Sequence, residues 1–306
     1  MSKASAAPRF AVVTDPMIAV LVIATALAVV IPAAGEARAA AAMVSNVGIF
    51  VLFLVNGMRI RRAEIMRGLA NWRYFGPLML FVFGVMAVAG FGFARVASEH
   101  LPPLVALGFV FLGVLPSTVQ SATSYTSLAR GNVALAVVGA ALINIAGVLV
   151  SAPLFALLGG GGAGAIGSEA IIRIGLILLL PFAIGQAVQD RVIDRVVANR
   201  ARIVWLDRAV IGIAVGLTPQ AVNVLGGVAP AVPGLLGLPR ADRIAFLFAG
   251  SQKSVAIGGP LAAILFPPAS AGFVIAPLLL YHLAQLVLAA PLALHLASGA
   301  ADQALG

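Results

Sequence analysis

Two stretches of this chain hold the residues whose types and spacing could do chemistry. The first, Gly113 to Asn132 (GVLPSTVQSATSYTSLARGN), sets a proline, a run of hydroxyls and an amide inside an otherwise apolar segment. The second, Ala249 to Gly259 (AGSQKSVAIGG), interrupts another apolar segment about equally far into the second half, with hydroxyls, an amide and a lysine. Groups of this kind hold a polar solute or an ion. Hydrocarbon tolerates unwound backbone only where it is buried in protein or lines a wet cavity, and paired breaks in corresponding halves mark the midplane binding sites of secondary transporters.

The rest of the composition removes competing chemistries. All ten acids (Asp15, Glu36, Glu64, Glu99, Glu169, Asp190, Asp194, Asp207, Asp242, Asp302) fall in loops or at the ends of apolar runs. A carboxylate proton relay at membrane depth is therefore excluded, as is an intramembrane aspartyl protease, which needs two carboxylates sharing a site. With no cysteine there is no thiol nucleophile and no thiolate metal site, and three isolated histidines supply no ligand cluster. No Gly-Lys-Ser/Thr follows the glycine-rich run Gly159 to Gly167, so it is no phosphate loop. The net charge of +9 comes from arginine-rich loop clusters without an aromatic-basic face, which speaks against a nucleic-acid partner and for basic cytoplasmic loops. The expectation is a protein that is not an enzyme.

Positioning such groups requires membrane-spanning elements. Of 306 residues 62% are apolar and 9% charged, and the mean hydropathy is +1.11, so the lipid bilayer is the solvent of an all-α polytopic membrane protein. The first apolar run, Pro16 to Ala34, imitates a secretory signal but exceeds a typical signal core and is read as a retained helix. Further spans are expected at Ala41 to Met58, Tyr74 to Ala94, Pro103 to Leu128 with the first break, Val133 to Leu158, and Ile171 to Val188. The arginine clusters at Arg59 to Arg73 and Asp190 to Arg208 read as cytoplasmic loops. Between Arg208 and Arg240 lie 31 uncharged residues holding four prolines, too few for two full helices. A span from Ala209 to about Gly227 followed by a short, broken or re-entrant piece is expected there. Arg243 to Leu265 then carries the second break and Ala271 to Ala297 the last span. The fifth span is apolar apart from Asn144, an amide that either cross-links helices or joins the site. His282 in the last span reads as a packed interface histidine.

PSTVQSATSYTSLARGNVALA, followed by ADRIAFLFAGSQKSVA and PLLLYHLAQLVLA, resembles the bile acid:sodium symporter family, and specifically its divergent branch with crossover motifs of the PSTVQS and GSKKS type. The likeness extends to the GMRI and NWR region and to LLLPFAIGQ. It implies about nine to ten helices in two inverted repeats. On that pattern residues 1–158 form the first repeat, 159–170 a Gly-rich linker and 171–306 the second, with panel and core subdomains mixed from both. It also implies secondary active transport of a small organic anion with sodium, expected in the inner membrane. With the two basic loops inside, both termini fall on the cytoplasmic side only if Ala209 to Pro239 enters and returns, a return that Arg240 and Arg243 favour. Carried over by position, the substrate and ion site falls on Ser117, Thr118, Gln120, Ser121 and Thr123 and on Ser251, Gln252, Lys253 and Ser254, with Asn144 as a candidate addition. Sodium, the one cofactor implied, would sit at Ser117, Thr118, Gln120, Ser121 and Gln252, since hard cations take oxygen ligands.

Two departures bear on coupling. The bile-acid branch has a glutamate two residues before its Gly-x-Gln element, where this chain has Phe248, and an asparagine after the glutamine, where it has Lys253. A lysine at the midplane costs at least about 2.5 to 3.5 kcal/mol on insertion scales and needs a partner. The expectation is that its partners are the oxygens of Ser117, Thr118, Gln120 and Ser121 and, when loaded, an anionic substrate, and that it takes the place of a bound cation and weakens sodium dependence. The eighth family helix is largely missing between Leu217 and Arg240, which keeps open a non-transporting regulator or scaffold built on the same fold. Substrate identity, coupling ion and oligomeric state are not fixed by the sequence.

Overall fold

A computed structural model describes residues 35–59, 61–63, 66, 70–159, 175–199, 201–206, 209 and 238–302. The expected first span, the linker from residue 160 onward and the shortened region from 210 to 237 lie outside them. The regular secondary structure of the described residues is helical apart from one isolated β-bridge. Nine helices are used below: α1 (Gly35–Arg59), α2 (Trp72–Ala97), α3 (Pro103–Val114), α4 (Val119–Leu128), α5 (Val133–Leu158), α6 (Leu180–Ala198), α7 (Arg240–Ser251), α8 (Val255–Leu265) and α9 (Pro268–Asp302). α2, α5 and residues Ser270–Ala297 of α9 are each long and apolar enough to cross a bilayer alone. Leu80, Val88, Val96, Leu149 and Leu157 are exposed on α2 and α5, as a lipid-facing surface requires.

α1 and α6 pack chiefly on each other, as a pair of neighbours among the described residues. Their backbones touch where Gly57 meets Gly185: a Cβ on Gly57 would run into the Phe182 carbonyl, and one on Gly185 into the Leu54 carbonyl. Small residues at such a contact let helices associate where lipid offers no hydrophobic drive. Gln186 Nε2 donates to the Gly57 carbonyl at 2.6 Å, and Arg62 closes the end of the pair with a bond to the Gln186 carbonyl and an ion pair to Asp190 at 3.3 Å. The Asp190 to Arg208 segment departs from the loop expectation, because α6 runs unbroken to Ala198 and residues 201–206 are helical again. Val192, Ile193 and Val196 keep a partly covered apolar face through this charged stretch, so the 3.6-residue period continues beyond the hydrocarbon.

Two apolar cores hold the remaining helices, with Ile49, Leu52 and Phe53 of α1 joining the first. In one, α3 and α8 pack with α5 and α9 around Phe111, Phe155 and Phe266, whose rings meet edge-on at 5.5 to 5.9 Å. In the other, α4 and α7 pack with α2 and α5 around Tyr74, Phe81 and Phe246. α2 is not uniform: Phe81–Val85 form a π turn one turn after Pro77. Pro77 lacks the N–H that the preceding turn needs, and the wider turn redirects the carbonyls that follow.

Candidate functional site

Both broken helices come apart where the sequence placed the breaks. α3 ends at Val114 and the chain runs extended through Leu115 (φ −76, ψ 148) to Thr118 (φ −90, ψ 113) before α4 begins. α7 ends at Ser251 and is extended at Gln252 (φ −80, ψ 115) and Ser254 (φ −91, ψ 106) before α8. The two extended pieces lie antiparallel and pair, with Ser117 opposite Lys253. Thr118 N donates to the Gln252 carbonyl and Ser254 N to the Pro116 carbonyl, both at 3.0 Å. A crossing of two chains thus supplies the hydrogen bonds that neither helix can, as the absence of water demands.

The remaining freed carbonyls are taken up by side chains. Ser151 Oγ donates to the Val114 carbonyl at 2.7 Å, from a face of α5 on which Gly147 one turn earlier admits the Pro116 ring. In the second break Tyr281 donates to the Ser251 carbonyl at 2.7 Å. Gln285 acts as a surrogate strand for Lys253, accepting from its N–H at 2.7 Å and donating to its carbonyl at 3.2 Å, while the same amide nitrogen lies 2.7 Å from His282 Nδ1. Tyr125 of α4 donates to the Leu286 carbonyl at 2.9 Å, so α9 braces both breaks.

Lys253 is wholly buried, and its ammonium lies elsewhere than expected. Instead of the side-chain oxygens of the first break, it reaches the backbone carbonyls of Leu115 at 2.8 Å, Gly113 at 3.1 Å and Val82 at 3.5 Å. The first two belong to the C-terminal end of α3, where the helix dipole is negative, and the third to the π turn of α2. Gly90 and Gly113 make this convergence possible: a Cβ on Gly90 would lie 2.9 Å from the Gly113 Cα, so α2 and α3 touch backbone to backbone. A lysine buried at membrane depth is therefore held by peptide dipoles, with no carboxylate among the partners of its ammonium.

The other expected residues separate into groups. Thr118 Oγ1 donates to the Lys253 carbonyl at 2.7 Å and Thr123 Oγ1 to the Val119 carbonyl at 2.6 Å, so both hydroxyl protons are committed. Ser254 caps α8 by accepting from Ile257 N at 3.3 Å. Ser117 Oγ, Ser121 Oγ, Gln252 Oε1 and Asn144 Oδ1 are buried without a hydrogen-bond partner. Successive side chains alternate in extended backbone, so Ser117 and Lys253 point to one side of the bridge, Thr118 and Gln252 to the other. Gln120 is exposed at the start of α4, and Ser124 and Ser127 continue an exposed polar face from it. Phe248, where the bile-acid branch has its glutamate, is 1% exposed and lies against Tyr125 at 5.8 Å between ring centroids.

The sequence reading missed Ser151, Tyr281, Gln285 and the π turn. Tyr281, His282 and Gln285 recur at i, i+1 and i+4 in an apolar span, a polar stripe that signals an inward face. Ser151 stands seven residues after Asn144 on the same face of α5.

The sequence is similar to known proteins along nearly its whole length. The model of the SBF-like CPA transporter family matches residues 15–218 and 221–298. The protein named "Putative symporter YfeH" from Escherichia coli K12 is 32% identical over 310 residues, 92% of each chain. "Uncharacterized protein PA2026" from Pseudomonas aeruginosa is 32% identical over 314 residues, 94% of this chain and 93% of that one. The "Solute carrier RCH1" of Saccharomyces cerevisiae is 24% identical over 155 residues, 45% of this chain and 36% of that one. Both crossing segments fall inside the matched regions, the resemblance to bile acid:sodium symporters is borne out, and the chain is a member of the SBF-like CPA transporter family.

Proposed function

We propose that the protein is a secondary active transporter of small organic anions that works by alternating access, the crossing and its supporting helices moving against the α1–α6 pair. The observation that carries this reading is the crossing itself: two interrupted helices joined at residues 117 and 253, beside buried oxygens of Ser117, Ser121, Gln252 and Asn144 that lack partners. Orphaned polar atoms in a protein interior cost about 1 to 3 kcal/mol each, which a ligand would recover. Among the described residues, the N-terminus of α4 is a suitable cradle for an anion. Thr118 at the N-cap of α4 makes no capping bond, its hydroxyl being committed to Lys253, so the positive end of α4 is open at the crossing. The exposed Gln120, Ser124 and Ser127 on this helix supply a wet route to it, because such a face is tolerated at membrane depth only against water.

The neutral oxygen of Gln252 fits a hard monovalent cation together with Thr118 on the same face of the crossing, with Gln120 and Ser121 as further oxygens from the start of α4, while Ser117 lies on the Lys253 face. Such a cation would supply positive charge beside the anion and so tie the two movements together. The test is uptake of labelled organic anions into liposomes holding the purified protein, with sodium exchanged for choline. Gln120→Leu or Gln252→Leu is expected to reduce uptake at least about tenfold, a loss of roughly 1.4 kcal/mol of binding, in a protein that elutes as a folded species. Unchanged uptake in both variants overturns the site, and no uptake of any anion by the wild type overturns the function.

The orientation we propose is the inner membrane with both termini and the Arg59 to Arg73 loop in the cytoplasm, on the basic excess of that loop. In a chain without cysteine, Ile65→Cys should resist an impermeant thiol reagent on intact cells and react after lysis. Labelling on intact cells reverses the assignment.

A further inference from the structure

The ammonium of Lys253 has three protons to donate, and three backbone carbonyls converge on it, those of Leu115, Gly113 and Val82 at 2.8, 3.1 and 3.5 Å. Gly113 is in the last turn of α3, Leu115 is its C-cap and Val82 lies in the π turn of α2, so the carbonyls sit where the regular helical bonding ends or shifts. Were the lysine absent, the chain would present a buried ring of carbonyl dipoles, the arrangement by which channels replace the hydration shell of potassium. We propose that the carbonyls of Val82, Gly113 and Leu115 constitute a monovalent-cation site that the chain fills with its own tethered ammonium.

Two observations separate this site from the one described above. Its ligands are main-chain oxygens, whereas the unpartnered oxygens of Ser117, Ser121 and Gln252 belong to side chains and form no recorded bond with Lys253. The alternation of the bridge also places Gln252 on the face away from the ammonium. The lysine thus leaves the Gln252 side of the crossing open and removes only the carbonyl site from exchange with solution. Its consequence for coupling rests on the transport reading: one positive charge of the cycle stays attached to the protein and is never released with the solute.

The test uses melting of the purified full-length protein in detergent, so it is independent of uptake and of the substrate. Lys253→Ala opens the carbonyl ring. Its melting temperature is expected to rise by about 2 to 4 °C, saturably, in potassium or methylammonium chloride relative to equal choline chloride, with no such difference in the wild type. Lys253→Met fills the volume with an uncharged chain and should show no rescue. The same response of Lys253→Ala to all three salts, or an equal response from the wild type, overturns the proposal. Should Lys253→Ala fail to fold in any salt, Lys253→Met decides: stability at or above wild type overturns the proposal, and a destabilised fold supports it.

Discussion

The two breaks cross each other, yet their downstream halves differ. α4 carries Gln120, Ser124 and Ser127 exposed, with Thr123 half-buried and Ser121 and Thr126 buried. α8, the corresponding half of the second broken helix, reads VAIGGPLAAIL, has no polar side chain and is largely buried. The caps differ as well. The N-cap Ser254 of α8 accepts from Ile257 N, whereas the N-cap Thr118 of α4 turns its hydroxyl to the opposite chain. The freed carbonyls of the first break are held from outside by Lys253 and Ser151, those of the second by Tyr281 and Gln285 of α9. One half of the crossing is therefore a buried anchor and the other a polar surface, which teaches that a pair of similar breaks need not contribute equally to a site.

Three measurements would break or sharpen that contrast. The largest effect is expected from Gln285→Leu, which removes the side-chain oxygen that accepts from the buried Lys253 N–H and, among the described residues, one of two donors to its carbonyl. A cost of about 3 kcal/mol follows from stranding buried polar groups, read as a drop of about 5 °C in melting temperature. Ser151→Ala, at the first break, strands one carbonyl and should cost about 1 to 2 kcal/mol in the same assay. Equal losses would erase the distinction between an anchored and a less constrained break. The smallest perturbation compares two single cysteines at matched positions, each two residues past an N-cap: Gln120→Cys and Ala256→Cys. A polar thiol reagent should modify position 120 several-fold faster, since Gln120 is exposed and Ala256 partly covered. Equal rates would place water on both halves and remove the argument for a route along α4.

The sequence disclosed the breaks because they violate its dominant pattern. A proline, hydroxyls and amides inside apolar segments stand out whatever surrounds them, and the ends of α5 were read at Val133 and Leu158, where the structure has them. What escaped were features that keep the pattern. The π turn at Phe81–Val85 is as apolar as the helix around it, so nothing in FVFGV announces a shifted hydrogen-bond register. Ser151 was hidden by its small size in a long apolar run, although its bond is the one that completes the Val114 carbonyl. The ammonium of Lys253 was assigned to side-chain oxygens because sequence lists side chains, while the carbonyls it binds are carried by every residue and are exposed by geometry alone. The charged continuation of α6 failed for the opposite reason: polarity was taken for a loop where helical periodicity persisted.

The bridge between Ser117 and Lys253 has a consequence for biosynthesis. α3 and α4, of 12 and 10 residues, are about 18 and 15 Å long, so neither half spans the roughly 30 Å of hydrocarbon by itself. The partner that satisfies Thr118 lies 135 residues further along the chain. At roughly 5 to 20 residues per second, the ribosome delivers it about 7 to 27 seconds later. During that interval the first break has no second strand, and its carbonyls at Gly113 and Leu115 have no ammonium. The first half of the chain must therefore wait in the translocation machinery or beside water until α7 and α8 arrive, which makes assembly of the crossing a late, all-or-nothing event in the birth of the protein.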